Sequence, residues 1–471
     1  MTAPTTTTGT PITDRQRAGR RRSAGFVAAF GSILVGYDTG IIAGAMLFIT
    51  PDFDLNAVET GLIITSILIG AVVGSVLSGW VAQSLGRKRT LVISAAVLAI
   101  AAIGMAFAPD YAMLLVARFV AGLGVGAVEA TVPTFLSELA PTKSRGRLAT
   151  NNQLMIAIGI LVAGVINLFF SEDLSWRFSL GIAALPSLVL FALLLKQPET
   201  PRWLMLRGRR DDARDVLQHL LPPQEAATAF AELDELNAEG RLAEGESGNR
   251  EVLSMGALIR SKGLRSILVV AVFFAMLQQL VGINSILYYA PTILEKLGFG
   301  TNAALVNTVG FGLLSVAATI ASGFVVDRIG RKPLLIGGSI VLGVSMLVVA
   351  VVFGTGWLTL PGQMLALAAL AVFKAGFSLT WGPVMWVMLP ELFPLSARSA
   401  GVSIATSAKI VVELAFTFVL ALLLATNATA MYIVFAAFAA VAAVFVWKKI
   451  PETKGRSLEE IETTSNVTIP R

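Results

Sequence analysis

Apolar runs of about twenty residues recur along this chain. They fall near residues 24–49, 60–83, 90–108, 111–137, 147–170 and 177–195, and again near 264–294, 303–326, 334–354, 363–389, 399–424 and 429–447. A helix rises about 1.5 Å per residue, so each run is long enough to cross the roughly 30 Å hydrocarbon core of a bilayer. The pattern predicts an all-α polytopic membrane protein with about twelve transmembrane helices. A polar stretch divides the spans into two sets of six. Within it, apolar positions at helical spacing predict amphipathic helices over 209–221 and 224–236, and a charged segment follows around 244–251. The expected organisation is a disordered tail over 1–23, a six-helix bundle over 24–196, a helical linker over 197–262, a second bundle over 263–447 and a short tail over 448–471.

Composition agrees with lipid as the solvent. The chain is 55% hydrophobic and 14% charged, against about 25% charged in ordinary soluble domains. The first apolar run is longer than a signal-peptide core and contains Asp38, so it reads as a retained span. There is no cysteine and a single histidine, His219, in the charged linker. That removes thiolate chemistry, a disulfide framework, a His-rich metal site and a His-based triad. No cofactor, no metal and no nucleic-acid partner is expected.

The net charge of +6 reflects topology. Basic residues gather in alternate short loops: Arg87–Arg89, Lys143 to Arg147, Arg328 to Lys332, and Arg398, with the N-terminal arginines and Lys448–Lys449 on the same side. The intervening loops hold Asp52, Asp54, Glu59, Glu172 and Asp173, with little basic charge beyond Arg177 and Lys296. The excess of Lys and Arg in cytoplasmic loops predicts a multi-pass protein of the plasma membrane with both termini and the linker in the cytoplasm.

The two halves carry matching marks. Pro198-Glu199-Thr200 and Pro451-Glu452-Thr453 lie 253 positions apart, as do Glu138-Leu139 and Glu391-Leu392. Arg145 and Arg398 each follow their glutamate by seven. Gly86-Arg87-Lys88 recurs as Gly330-Arg331-Lys332, at an offset of 244. Internal duplication of this kind accompanies transporters whose site lies at the midplane, between the repeats.

The segments Gly36-Tyr37-Asp38-Thr39-Gly40, Pro198 to Trp203, Gln278 to Asn284, Tyr288-Tyr289, Asp327 to Lys332, Trp381-Gly382-Pro383 and Pro451 to Gly455 resemble those of the sugar porter family of the major facilitator superfamily. The resemblance runs from about residue 24 to 460. It implies the major facilitator fold and proton-coupled import of a monosaccharide or polyol by alternating access. It also implies roles. Asp38, in the first span, and Arg118, in the fourth, would form the proton-coupling pair. An arginine beside a carboxylate favours the charged form, so moving Arg118 away would let Asp38 take up a proton. Gln153, Gln278, Gln279, Asn284 and Tyr288 would line the sugar site, where amides suit hydroxyl groups because they donate and accept without charge. Trp381 would lie against the sugar ring. The same amides could instead serve helix–helix hydrogen bonding. Arg87, Glu138, Arg145, Asp327, Arg328, Arg331, Glu391 and Arg398 would be gating charges that hold the inner side closed. Where the family commonly has an Asp-Arg pair, this chain has Gln83-Ser84, which implies a weaker latch in the first half.

Four charges within spans depart from the family pattern: Glu129, Lys374, Lys409 and Glu413. Lys409 and Glu413 share a helix face, four residues apart. They are read either as an internal pair or as part of the substrate site, tuned to a charged or zwitterionic sugar-like cargo such as a sugar acid or amino sugar. A rearranged coupling network is a third reading. A transporter-like nutrient sensor fits poorly with the short tail after Pro451. The partners expected are the small-molecule substrate, a proton and the bilayer, with the protein a monomer.

Overall fold

The computed structural model describes residues 14–139, 145–170, 176–238, 262–393 and 398–452. In the first half the helices are α1 (Asp14–Asp52), α2 (Ala57–Leu85), α3 (Arg87–Ala106), α4 (Tyr111–Leu139), α5 (Arg145–Phe169), α6 (Trp176–Gly181) and α7 (Ala184–Leu195). The linker forms α8 (Pro201–Leu206), α9 (Arg210–Leu220) and α10 (Pro223–Ala238). The second half holds α11 (Lys262–Leu280), α12 (Ile283–Lys296), α13 (Thr301–Ile329), α14 (Arg331–Thr355), α15 (Leu360–Leu379), α16 (Trp381–Glu391), α17 (Arg398–Thr426) and α18 (Ala428–Lys449). The charged segment around 244–251 and residues 1–13 and 453–471 lie outside the described residues, whereas residues 14–23, expected within the disordered tail, continue α1 as helix.

Ten stretches are long and apolar enough to cross a membrane, and the shorter apolar helices Gln153–Phe169 and Leu264–Leu280 supply the fifth and seventh spans. Large apolar side chains such as Val76, Trp80, Phe107, Phe169, Phe324 and Leu360 face outward. Water would not tolerate so wide an apolar surface, whereas lipid requires one.

Three spans that the sequence presents as continuous are broken. The sixth turns between α6 and α7. The seventh breaks at Gly282, whose φ is +98° and whose absent Cβ would meet the Phe435 ring at 2.6 Å. The tenth breaks at Thr380 (φ −118°, ψ −85°), three residues before Pro383, which has no N–H to give to a continuing helix. Hydropathy is blind to these breaks because the residues on either side are equally apolar. Discontinuous spans expose backbone groups at mid-depth, where transporters build their sites.

Lipid offers little hydrophobic drive between helices, so close backbone approach does the work. Gly36, Gly40 and Gly44 form a stripe on α1 that receives α5. A Cβ at Gly36 would lie 2.0 Å from the Ile156 carbonyl oxygen, and one at Gly159 2.2 Å from that of Ile33. The helices α2 and α4 meet in the same way.

The duplication has a structural counterpart at the loops after the second and eighth spans. Gly86 and Gly330 both have φ of +103°. In the first half the Glu199 carboxylate accepts the Lys88 N–H at 3.1 Å. In the second, Glu452 accepts the N–H groups of Arg331 (3.1 Å) and Lys332 (3.0 Å). Each glutamate of the Pro-Glu-Thr repeat therefore caps the start of a span, where unpaired N–H groups and the helix dipole favour an anion. Glu199→Ala should lower stability by about 1–2 kcal/mol, the usual scale for a lost cap, read as a lower melting temperature in detergent.

The linker helices pack on the same ends. The indole N–H of Trp203 donates to the Gln83 carbonyl at 3.0 Å, and Arg207 donates to the carbonyls of Gln83 and Ser84 at 3.2 and 2.7 Å. Arg210 pairs with Asp234, and Arg214 lies 4.4 Å from the Phe230 ring centroid, holding α9 to α10.

Candidate functional site

The site is assembled where α1, α4 and α5 of the first half face α11, α12, α16 and α17 of the second. Asp38 and Arg118 meet there: Arg118 Nη1 stands 3.2 Å from Oδ1 and 3.3 Å from Oδ2. Arg118 is fully buried and Asp38 nearly so. Arg118 Nε also donates, at 3.4 Å, to the Ile63 carbonyl, while Nη2 has no hydrogen-bond partner among the described residues. A charge in hydrocarbon is costly unless it is paired, so each group accounts for the other's place.

The amides of the seventh span divide into two sets. Gln278 donates from Nε2 to the Trp381 carbonyl at 3.2 Å, a carbonyl at the broken tenth span. Asn284 donates to the Thr417 hydroxyl at 3.0 Å, and the Tyr289 hydroxyl to the Thr417 carbonyl at 3.2 Å. These groups join α11, α12, α16 and α17 within the second half. Gln279, equally buried, has an Oε1 without a hydrogen-bond partner among the described residues. Tyr288 is buried, its hydroxyl has no hydrogen bond among the described residues, and it lies within electrostatic reach of Glu413, Asp38, Arg118 and Glu129. Gln153 on α5 is half-buried. Gln279, Tyr288 and Gln153 are thus the groups with capacity left for a ligand.

Trp381 requires a correction. Its ring was expected at the cargo, but it is fully buried inside the second half, with Nε1 donating to the Ser339 hydroxyl at 2.9 Å and lying 3.2 Å from the Leu335 carbonyl. The exposed aromatic on that segment is Trp386, 37% accessible, with the Lys409 ammonium 5.7 Å from its ring centroid. Five residues along a helix turn a side chain by about 140°, so the two tryptophans of α16 point to different surfaces.

Lys409 also pairs with Glu413 at 2.9 Å. Glu129 is exposed and lies within electrostatic reach of both. It follows Arg118 by eleven residues, about three turns, so the two share one face of α4. Lys374, by contrast, is buried on α15 with no hydrogen bond or ion pair among the described residues.

Among the gating charges, Arg87 and Glu138 pair at 3.2 Å, both buried, joining the start of α3 to the end of α4. That pair lies within the first half. Arg328 and Arg331 flank the Gly330 turn, and Glu391 ends α16. The side chains of Arg145, Asp327 and Arg398 lie outside the described residues. On the opposite ends of the spans, Asp52 accepts from Trp176 Nε1 (2.9 Å) and pairs with Arg177 (3.1 Å).

The halves touch near those opposite ends. A Cβ at Gly61 would lie 3.1 Å from Ala421 and 3.2 Å from Phe418, and one at Gly312 3.1 Å from Leu161.

Two broken-helix bundles around a shared cluster of buried polar groups are the architecture of a membrane transporter of the major facilitator type, and not an enzyme. The profile described as "Sugar (and other) transporter" matches residues 24–464, and the chain belongs to that family, the sugar porters. It is 40% identical to the glucose transporter GlcP of Staphylococcus epidermidis, covering 93% of this chain and 95% of that one. It is 36% identical to the D-xylose transporter of Levilactobacillus brevis, covering 94% and 96%. Among solved structures, the xylose transporter XylE from E. coli, in a partially occluded inward open conformation, superposes with a TM-score of 0.79 at 28% identity, covering 93% and 100%.

Proposed function

We propose that this protein imports a monosaccharide or polyol together with a proton across the plasma membrane, with both termini in the cytoplasm. The observation that carries the reading is the buried Asp38–Arg118 pair at 3.2 Å, set beside the neutral hydrogen-bonding groups of Gln153, Gln279 and Tyr288. The family relatives support the cargo class: they include glucose, xylose and myo-inositol transporters, and one solved neighbour is a proton:xylose symporter bound to a halogenated deoxyglucose. The clustering of Lys and Arg on the side of the termini supports the orientation.

In the proposed cycle Asp38 takes a proton from outside while Arg118 is displaced, and cargo binds across Gln153, Gln279 and Tyr288. The halves then rock about the site, and Arg118 returns to Asp38 as proton and cargo leave. Arg87 with Glu138, and the caps on Gly86 and Gly330, keep each half rigid during the movement.

The binding test is Gln279→Ala. Its orphaned Oε1 has no protein group to lose, so the substitution should spare folding. It should weaken sugar affinity by about tenfold, the scale of one hydrogen bond to a buried site. Isotope-labelled glucose and xylose binding to purified protein gives the readout, and unchanged affinity for every sugar bound by the parent would reject this placement.

A further inference from the structure

We propose that Glu129, Glu413 and Trp386 form a subsite for a protonated amino group, so that the favoured cargo is an amine-bearing sugar or polyol. The inference rests on the sugar-carrier reading and narrows it.

Charge within the cavity is unbalanced. Asp38 and Arg118 neutralise each other, and Lys374 is buried in the second half. What remains near the cargo space among the described residues is Glu129, Lys409 and Glu413: Lys409 pairs with Glu413 at 2.9 Å, which leaves the Glu129 carboxyl without a counter-ion. A neutral cargo leaves that imbalance in place. A sugar acid adds a third anion beside a single cation already held by Glu413. An amine-bearing cargo corrects it.

The local geometry shows what an ammonium does there. Lys409 Nζ sits 2.9 Å from Glu413 Oε2 and 5.7 Å from the centroid of the Trp386 ring. A carboxylate with an aromatic face is a binding arrangement for a cationic nitrogen. Lys409 is the internal occupant, and a cargo amine would compete with it for Glu413. Glu129 comes from the opposite half, is exposed, and is within electrostatic reach of both Lys409 and Glu413. An amine between Glu129 and Glu413 would therefore link the two halves through the cargo.

A second observation marks the same place as a ligand site. Tyr288 is 4% exposed, has no hydrogen-bond partner among the described residues, and lies within electrostatic reach of Glu413 and Glu129 on one side and of Asp38 and Arg118 on the other. Its hydroxyl is available to a cargo hydroxyl next to the amine.

The test is counterflow in proteoliposomes containing the full chain, with glucose, glucosamine, N-acetylglucosamine and glucuronate compared as cargoes. Glucosamine should be preferred over glucose and N-acetylglucosamine by about tenfold, with glucuronate the poorest. Glu129→Gln should erase most of the glucosamine-to-glucose preference, whereas Glu129→Asp, which keeps the charge, should retain part of it. The subsite is overturned if the parent prefers glucose or glucuronate, or if Glu129→Gln leaves the preference unaltered. In those cases transport of a neutral sugar still stands and the sugar-carrier reading survives. If none of the four moves while the folded protein still exchanges xylose or myo-inositol, the subsite alone falls; if those do not move either, both readings fall.

Discussion

Asp38→Asn protein in proteoliposomes is expected to lose proton-driven accumulation completely while still exchanging sugar across the membrane. The side chain keeps its shape and can no longer change charge. At about one pH unit of imposed gradient, a carrier moving one proton per sugar supports at most about tenfold accumulation, since each factor of ten in ratio corresponds to about 1.4 kcal/mol. The variant should reach a ratio of about one, and counterflow should persist. The ion pair explains why the effect is so complete. At 3.2 Å and an effective dielectric of about 20, two unit charges attract by roughly 5 kcal/mol. Asn leaves Arg118 buried without its counter-charge, so the variant should also favour the conformation that best hydrates Arg118. Accumulation equal to that of the parent would remove Asp38 from the coupling mechanism, and loss of counterflow as well would make its role structural.

Much of this architecture is legible before any coordinates. Lipid imposes long apolar runs, so the spans appear directly; apart from α1, which begins at Asp14 rather than near residue 24, their ends shift by only a few residues in the structure. The pairing of Asp38 with Arg118 was also accessible, because two opposite charges buried in apolar spans each need a partner. Other features have no local signature. The break at Gly282 depends on a positive φ and on the Phe435 ring beneath it, which is a contact across more than a hundred residues. The role of Glu199 and Glu452 as caps is equally distant from the loops they cap. The Trp-Gly-Pro segment draws attention to Trp381, yet the cavity receives Trp386, because the rotation of α16 is set by where the tenth span breaks. Gln278 and Asn284 stand where expected, but each is engaged within the second half, and the spare capacity passes to Gln279 and Tyr288. Only the packing of side chains separates an amide that binds a ligand from one that binds a neighbouring helix.

Gly36→Leu is expected to prevent folding altogether. The Cβ alone would stand 2.0 Å from the Ile156 carbonyl oxygen and 2.9 Å from the Ile156 Cα. Both obstacles are backbone, so no side-chain rotation relieves them, and α1 would have to leave α5 along the whole Gly36–Gly40–Gly44 stripe. Ordinary overpacking costs about 1–3 kcal/mol; a clash of backbone with backbone should exceed about 4 kcal/mol, the range in which single substitutions unfold proteins. Size-exclusion profiles of a fluorescent fusion in detergent should show no monodisperse peak. Gly36→Ala should give a reduced peak. Gly310→Leu, whose Cβ meets nothing within 4 Å, should match the parent. The contact also matters to transport. Asp38 lies two residues beyond Gly36 on α1, and Gln153 lies three before Ile156 on α5. The Gly36–Ile156 contact therefore holds Asp38 and Gln153, the coupling carboxylate and cargo-site amide proposed above, in a single rigid unit. Protonation of Asp38 can then move the first half as a body only while these helices stay locked, so Gly36→Ala protein that does fold should couple sugar to protons less tightly than the parent. A monodisperse Gly36→Leu protein with full proton-driven uptake would show that this contact sets neither the fold nor the coupling.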